Sequence, residues 1–440
     1  MTVQALSSWM LAQEARALLT RLARVKPFAL QETMVPAAAL SDAAQTNIEN
    51  FLAEGRRELR SLIHGYISWI ESPQGRRVEP ESQQRRFTFL RLRFNVLLSQ
   101  VDIFSDVITQ RSEHGTGVRL AGLDVVAADA LRIPGNYYDA PPVICYVDRG
   151  QGAAIRRAKT RLPGGRDNPV AVIRIPRERM VGSGIGSSLI HEVGHQAAAL
   201  LDLINSLRPI LKQKQLSSRT PGAWTLWDRW ISEIVADFWS VAKLGISSTI
   251  GLMAVVSLPR AFVFRISLDD PHPFPWIRVK LSCAMGAALY PHPQWQRFSE
   301  LWEAFYPRAG LDRDKLAVIQ SLEREMPEFV ELLTRHRPAR LRGSSLAEAV
   351  TSPDRRPERL AAYWNAWQAE PDRMRRAPPA LTMAVLGQAR ANGKVTPALE
   401  SRTLGYLLTW WALARTLRDT AACAARPPKI SLPVRAASAV

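Results

Sequence analysis

Residues 189–200, LIHEVGHQAAAL, decide the fold and contain an H-E-x-x-H pattern, His191-Glu192-Val193-Gly194-His195. Their composition predicts a helix, called here the first metal helix, and four residues are just over one helical turn. His191 and His195 therefore project from one face and can reach a single ion. Glu192 is rotated by about 100° from His191. Its carboxylate is expected beside the open position of the metal rather than among the ligands.

Two histidines do not complete a catalytic zinc site, which needs a third protein ligand and a partner that orients an imidazole. A second predicted helix, the second metal helix at about Trp224 to Leu244, contains Ser232-Glu233-Ile234-Val235-Ala236-Asp237. Glu233 and Asp237 are four residues apart and share a face. We predict Glu233 as the third metal ligand, with a fourth position left for water, and Asp237 as the acceptor for the distal ring nitrogen of a bound histidine, His191 above all. The ligand types favour Zn²⁺, although Co²⁺ and Mn²⁺ accept the same set.

The segments around these helices predict a mainly α protein with a small β-sheet, an α+β fold. The first metal helix is expected to open at the Gly/Ser stretch Gly182 to Ser188, to run through Leu207 and to end near Pro209. Short β-branched segments bounded by Pro and Gly predict strands at 141–147 and 168–176. Apolar residues predict helices at 84–111, at 295–335 and, interrupted by Pro259 and Arg260, at 246–264.

Breaks in these patterns divide the chain into four expected regions. They are an N-terminal helical region at 1–140, a core at 141–335, a C-terminal helical region at 344–420 and a disordered tail at 421–440. The basic, proline-containing segment at about 336–359 indicates the boundary before the C-terminal region. The tail is predicted because Ala, Pro and Arg dominate from Asp419 onward without periodicity.

The composition fits a large folded protein. With 440 residues, of which 47% are hydrophobic and 22% charged, the chain can bury the cores of two or three domains, and extensive disorder is not expected. The first thirty residues have no secretory signal, so we expect an intracellular, cytoplasmic protein. Cys145, Cys283 and Cys423 are odd in number and far apart, which argues against disulfides and against a thiolate metal site.

The net charge of +18 comes largely from arginine along the whole chain, with a concentration at 335–359. Such a charge can favour nucleic acid, an anionic membrane or other acidic partners. No nucleic-acid motif accompanies it, so we prefer a solvated, arginine-rich surface and do not expect nucleic acid as a partner. Residues 181–207 lack Lys and Arg, but they are rich in polar residues, and the second metal helix contains Asp228, Arg229 and Lys243. No membrane span is therefore predicted.

HEVGH followed by SEIVAD resembles the gluzincin zinc metallopeptidases over roughly residues 183–244. The terminal regions resemble no family closely. The resemblance implies a zincin-like metallopeptidase core and an upper strand along the cleft above the first metal helix, for which AVIRI, residues 171–175, is suitably placed. An extended substrate can then add a strand to that edge. An ordinary interior strand is an interpretation of comparable weight.

The expected reaction is zinc-dependent hydrolysis of a peptide bond by a metal-activated water. Glu192 is the predicted general base, which takes the proton of the water and passes it to the leaving amine. The oxyanion needs a further donor, and His272, in the segment Asp270-Pro271-His272-Pro273, is the catalytic candidate. Arg278 and Tyr290 rank below it, and a structural role for His272 stays open. The other histidines have no comparable neighbours and receive no site role: His64, His114, His292 and His336.

These residues predict a peptide or protein substrate, and an endopeptidase rather than an exopeptidase. An alternative is a metallopeptidase-fold component that acts mainly as a binding or assembly protein, with a complex partner held by the helical ends. The motif also occurs by chance in helices with two ordinary histidines. Glu233 and Asp237 argue against chance, because they independently supply what a zinc site requires.

Overall fold

Five helices precede the sheet in a computed structural model, which describes residues 2–25, 34–148, 152–176 and 182–425. The long ones pack side by side, with Phe87, Leu90 and Phe94 buried against the first two helices. The predicted helix at 84–111 is confirmed in its main part, although its last three residues turn into a 3₁₀ helix. The five are α1 (Val3–Arg24), α2 (Asp42–Glu71), α3 (Pro73–Arg76), α4 (Pro80–Ile108) and α5 (His114–Leu131).

Three strands form one small sheet in the order β1-β3-β2. β1 (Val143–Asp148) runs parallel to β3 (Ala171–Pro176), and β2 (Ala154–Arg156) pairs with β3 in the antiparallel direction. Both predicted strands are confirmed within a few residues of their expected bounds. β2 was not predicted, because three residues are too few to show an alternating pattern. The mainly α fold with a small sheet is thus confirmed.

The expected role of residues 171–175 as a free edge is wrong. They lie in β3, the central strand, whose backbone is already paired with β1 on one side and with β2 on the other. A substrate cannot add to a strand that has no open edge. On β1, the side chain of Gln110 bonds to both the N–H and the carbonyl oxygen of Val147, each at 2.8 Å. The interior-strand interpretation is therefore the correct one.

The two metal helices follow the sheet and pack against each other. The first ends earlier than predicted: α6 (Ser183–Leu200) stops before Asp202, whose φ of 54° is left-handed, and α7 (Leu203–Ser217) restarts from there. Asp tolerates this conformation better than most residues. Pro209, the predicted end, lies inside α7, where it removes one hydrogen bond without ending the helix. The second metal helix is α8 (Pro221–Leu244), which begins three residues before its predicted start.

Ten further helices follow the second metal helix in the described part of the chain. The predicted break near Pro259 is confirmed, and the region at 295–335, which was predicted to be helical, contains two helices. The predicted tail begins too early, because the last helix continues through Ala424; its Ala-rich sequence favours helix without a periodic apolar face. Positions 426–440 lie outside the described residues. The ten helices are α9 (Ile246–Val256), α10 (Arg260–Val263), α11 (Pro275–Leu289), α12 (Gln294–Phe305), α13 (Arg313–Arg335), α14 (Leu346–Val350), α15 (Pro357–Ala369), α16 (Pro371–Arg376), α17 (Pro379–Ala391) and α18 (Pro397–Ala424).

One apolar core surrounds the metal helices and draws on most of the chain. Its buried residues extend from Leu120 on α5 to Trp411 on α18 and include Trp227, Trp230 and Trp239 of α8. The expected boundaries of the four regions stay a prediction. Within the described ranges, no helix has both the length and the apolar composition that crossing a membrane requires.

The close approach of α6 and α8 can be tested at Gly194. A Cβ at this position would lie 2.8 Å from Ala236 Cα and 3.0 Å from Trp239 Cβ. Gly194→Ala should therefore lower the free energy of unfolding by about 1–3 kcal/mol, because the two helices must move apart. The measurement is urea unfolding followed by circular dichroism.

Gly184→Ala is the matched control on the same helix, because its Cβ would meet no atom within 4 Å. Alanine favours helix over glycine, so this variant should be as stable as the wild type or more stable by less than about 1 kcal/mol. Equal losses of unfolding free energy in the two variants would show that the close contact with Ala236 is not the reason for glycine at position 194.

Candidate metal centre

The first metal helix presents both imidazoles on one side. His191 and His195 are half-buried on α6, and their rings meet edge to face with centroids 4.9 Å apart and planes at 89°. One helical turn separates them, which is the spacing that the H-E-x-x-H pattern predicts. Gly194 lies between them on the face towards α8, so the backbones approach closely at the level of the two rings.

The second metal helix brings one carboxylate to both rings. Glu233 Oε2 lies 3.1 Å from His191 Nε2 and 3.4 Å from His195 Nε2. Each of the three residues offers one potential metal-ligand atom, and these three atoms lie within 4.8 Å of one another. Two imidazole nitrogens and one carboxylate oxygen form a His₂Glu set, which suits zinc with a position left for water. The three residues could therefore hold a metal ion.

Asp237 supports this group from the next turn of α8. Its Oδ1 lies 2.7 Å from His191 Nδ1, so the ring nitrogen that faces away from Glu233 has a carboxylate partner. Arg278, on α11, donates to the same carboxylate from Nε at 2.6 Å and from Nη2 at 2.9 Å. A carboxylate on the distal nitrogen fixes the tautomer of a ligating histidine and makes the ring a stronger ligand.

The charges of the site compensate one another. Burial alone would lower the pKa of His191, but Asp237 and a hydrogen bond to Glu233 raise it to about 9. Burial raises the pKa of the Glu233 carboxyl, yet its contacts with His191, His195 and His272 hold it far below its usual range. Burial also raises the pKa of the Asp237 carboxyl, but Arg278 and His191 lower it well below its usual range. Both carboxylates are therefore anionic at neutral pH, as metal binding requires.

Glu192 is buried, with 6% of its surface exposed. Burial raises the pKa of its carboxyl, while the neighbouring His191 and His195 lower it and Glu233 raises it further. The carboxylate is therefore a stronger base than an exposed glutamate. A raised pKa next to a metal-ligating group is typical of a residue that transfers protons.

His272 reaches the same centre from the loop before α11. Its Nε2 lies 3.1 Å from Glu233 Oε2, the oxygen that also faces the two helix histidines. Asp270 fixes the ring, because its Oδ1 accepts from the His272 backbone N–H at 2.9 Å and lies 2.8 Å from Nδ1. Burial lowers the pKa of His272, but the hydrogen bond to Glu233 raises it above its ordinary value. The side chain remains 42% exposed, so part of the ring is open to solvent.

The two weaker candidates for the oxyanion have other partners. Arg278 is buried and uses Nε and Nη2 for Asp237, which makes it a positioning residue. The hydroxyl of the buried Tyr290 donates to the carbonyl oxygen of Ala242 at 2.7 Å. Ala242 is nine residues after Glu233 on the same helix, or about 13 Å along its axis. The structure therefore does not bring Tyr290 to the metal group.

Two contacts were not foreseen from the sequence. Ser232 Oγ lies 3.5 Å from His195 Nδ1, at the outer limit of a hydrogen bond. Asp270 holds His272, and the D-P-H spacing, in which Asp bonds two residues ahead, was a signal that could have revealed this pair. The remaining histidines lie elsewhere: His336 pairs with Ser206 and His292 with the N–H of Gln294, whereas the exposed His64 and His114 have no assigned contact in the described chain.

Comparisons of the chain with protein-family models, with curated proteins and with solved structures found no match. The similarity of HEVGH and SEIVAD to the gluzincins therefore rests on these residues alone. What the protein does has to be inferred from the chemistry of the site.

Two substitutions test the metal group. Glu233→Ala should reduce zinc binding from about one ion per chain to a substoichiometric level, because one of three protein ligands is lost. Asp237→Asn should weaken zinc affinity by roughly 10- to 100-fold, because His191 loses its charged partner. It should also destabilise the fold by about 3 kcal/mol, because Arg278 stays buried without its counterion. Mass spectrometry measures the zinc content, and competition with a chelating dye measures the zinc affinity. Urea unfolding measures the loss of stability.

Asp228→Asn is the matched control for Asp237→Asn, since it makes the same change on the same helix, at a residue whose ion pair with Arg208 is longer, at 3.8 Å. Its zinc affinity should equal that of the wild type. Unchanged zinc binding by Glu233→Ala would remove Glu233 from the ligand set.

Proposed function

We propose that this protein is a zinc-dependent peptidase, with His191, His195 and Glu233 as metal ligands and Glu192 as general base. The observation that carries the proposal is the convergence of both Nε2 atoms on one carboxylate oxygen of Glu233, at 3.1 and 3.4 Å. Glu192, which follows His191 directly, is buried beside this group. Three ligands with a neighbouring carboxylate are the arrangement that hydrolytic zinc sites use, whereas structural zinc sites fill all four positions with protein groups.

His191, His195 and Glu233 would hold a zinc ion, which would supply a bound water of lowered pKa and polarise the carbonyl of the scissile bond. The Glu192 carboxylate removes a proton from the attacking water and delivers it to the leaving amine. Its raised pKa favours proton uptake, and its burial keeps competing solvent away. Asp237 and Arg278 hold His191 in one orientation, so the ligand geometry does not have to reorganise during the reaction.

His272 is the proposed donor to the developing oxyanion. Its Nε2 faces the metal group, and Asp270 anchors the opposite ring nitrogen. The Asp270 carboxylate, 2.8 Å from Nδ1, favours the protonated ring, whose Nε2–H can donate. A substrate oxygen that replaces Glu233 as the partner of Nε2 would accept a hydrogen bond from His272. Preorganised donors of this kind stabilise charge that appears only in the transition state.

An extended peptide is the proposed substrate, and β2 is its proposed docking edge. β2 lies at the end of the sheet order and packs against α6, the helix that carries both histidines. The N–H of Ala158, two residues beyond β2, donates to Gln196 Oε1 at 2.8 Å, so this strand is tied to the residue after His195. Strand addition holds a peptide on both sides of the cleaved bond, which favours an endopeptidase.

Glu192→Gln tests catalysis separately from metal binding. The variant should keep about one zinc per chain and lose at least about 1000-fold in kcat/KM, because the amide cannot accept the proton of the water. The measurement is turnover of casein and of a quenched-fluorescent peptide library, beside zinc analysis of the same samples. Equal turnover by wild type and variant would assign the activity to a contaminant, and no turnover by the zinc-loaded wild type across the library would contradict a peptidase.

His272→Gln tests the oxyanion donor. The structure predicts normal zinc content, nearly unchanged KM and a kcat lowered by roughly 100- to 1000-fold, because one donor to the transition state is lost. His292→Gln, two residues before α12, is the control and should retain full activity. A loss confined to KM would show that His272 binds the substrate without stabilising the oxyanion.

A further inference from the structure

A second concave site lies on the face of the sheet that is turned away from the metal helices. Along β1 and β3 the side chains alternate: Cys145 and Ile173 point into the core with α6 and α8, whereas Ile144 and Val172 point towards α2 and α4. On this second face the sheet and the C-terminal end of α4 enclose a cavity of about 890 Å³. A cavity of this size suits a small molecule.

The strand register brings arginines together on that face. Tyr146 of β1 and Ala154 of β2 flank Arg174 of β3 in one row, and Arg156 lies opposite Val172 in the next row of the same face. The small side chain of Ala154 leaves space beside Arg174. Arg157 also lines the cavity, so three guanidinium groups meet two carboxylates, those of Asp106 and Asp148.

The hydrogen-bonding capacity of these arginines is incompletely used. Arg174 Nη1 lies 3.9 Å from Asp148 Oδ2, which is too far for a hydrogen bond. Arg174 Nε is buried and has no partner among the described residues. Arg156 and Arg157 form no ion pair within the described part of the chain. A buried guanidinium N–H without an acceptor is costly, which indicates that an acceptor belongs in the cavity.

Hydroxyl groups complete the lining. Tyr146 contributes one as a donor, whereas the hydroxyls of Thr109 and Thr160 already donate to the carbonyl oxygens of Ser105 and Arg157. Burial raises the pKa of Tyr146, so its hydroxyl is a neutral donor at physiological pH. Guanidinium forks and the Tyr146 hydroxyl together match a phosphate group, whose three terminal oxygens accept more hydrogen bonds than one carboxylate can.

We propose that this cavity binds a small phosphorylated molecule, with the phosphate held by Arg156 and Arg174. Arg157 adds a third positive charge at the rim, and Ala154 provides the room in which the phosphate lies. Among the described lining residues, Asp106 and Asp148 offset two of the three arginines, which leaves a net charge of +1. The site therefore selects a compact anion rather than a long polyanion. This inference is independent of the metal group and of the proposed peptidase activity.

Calorimetric titration of the zinc-loaded protein with pyrophosphate and with inorganic phosphate tests the proposal. The wild type should show saturable 1:1 binding of pyrophosphate. Arg174→Gln and Arg156→Gln should each weaken it at least tenfold. Arg91→Gln removes the same charge from the exposed face of α4, outside the cavity, and should bind as the wild type does. Unfolding curves of all variants show whether the fold is retained.

Ala154→Phe tests the space itself without changing the charge. Its ring should occupy the room beside Arg174 and abolish binding while all three arginines remain. Three results would overturn the proposal: no saturable binding by the wild type, an equal loss in Arg91→Gln, or wild-type affinity in Ala154→Phe. The same titration of Glu233→Ala should match that of the wild type, which separates this site from the metal group.

Discussion

The whole metal group depends on how closely α6 and α8 approach each other. Gly194 has no side chain, and the backbone of Ala236 occupies the space where a Cβ would lie. Glu233 is one helical turn before Ala236, so the contact that joins the two backbones also carries its carboxylate to the two imidazoles. The two variable positions of the H-E-x-x-H pattern are therefore not equivalent. Val193 fills the apolar core, whereas Gly194 sets the separation of the helices.

The site is a set of opposite charges inside an apolar shell. Trp227 and Trp230 belong to that shell, and an isolated charge among such side chains would be costly. Arg278 neutralises Asp237, and Asp237 in turn holds His191 through Nδ1, which leaves Nε2 directed at Glu233. A three-residue chain of contacts thus transmits the position of α11 to a ligand on α6. Side chains linked in this way keep one arrangement, because breaking any link leaves a buried charge without its partner.

The sequence was sufficient for whatever depends on local spacing. Helical periodicity predicts the pair His191 and His195 and the pair Glu233 and Asp237. It also predicts the buried apolar face of α4, which includes Phe87, Leu90 and Phe94. Each is found where it was expected. Contacts between distant segments were not accessible in this way. Nothing local links Arg278 to Asp237, and the three residues of β2 acquire their strand conformation only by pairing with β3. The break between α6 and α7 at Asp202 was also not predicted, because a single left-handed residue leaves the apolar pattern on either side intact.

Helix α18 closes the core at a contact between very distant parts of the chain. Arg415 Nη1 lies 3.4 Å from Asp124 Oδ2, across 291 positions, and Asp124 is already bound by the buried Arg111. Contacts between residues so far apart in sequence form late in folding, because the intervening chain must first be ordered. Since α5 and α18 share their core with the metal helices, a ribosome has to extend the chain past Arg415 before those helices acquire their final neighbours. Until that moment, the candidate metal centre lacks part of the core that supports it.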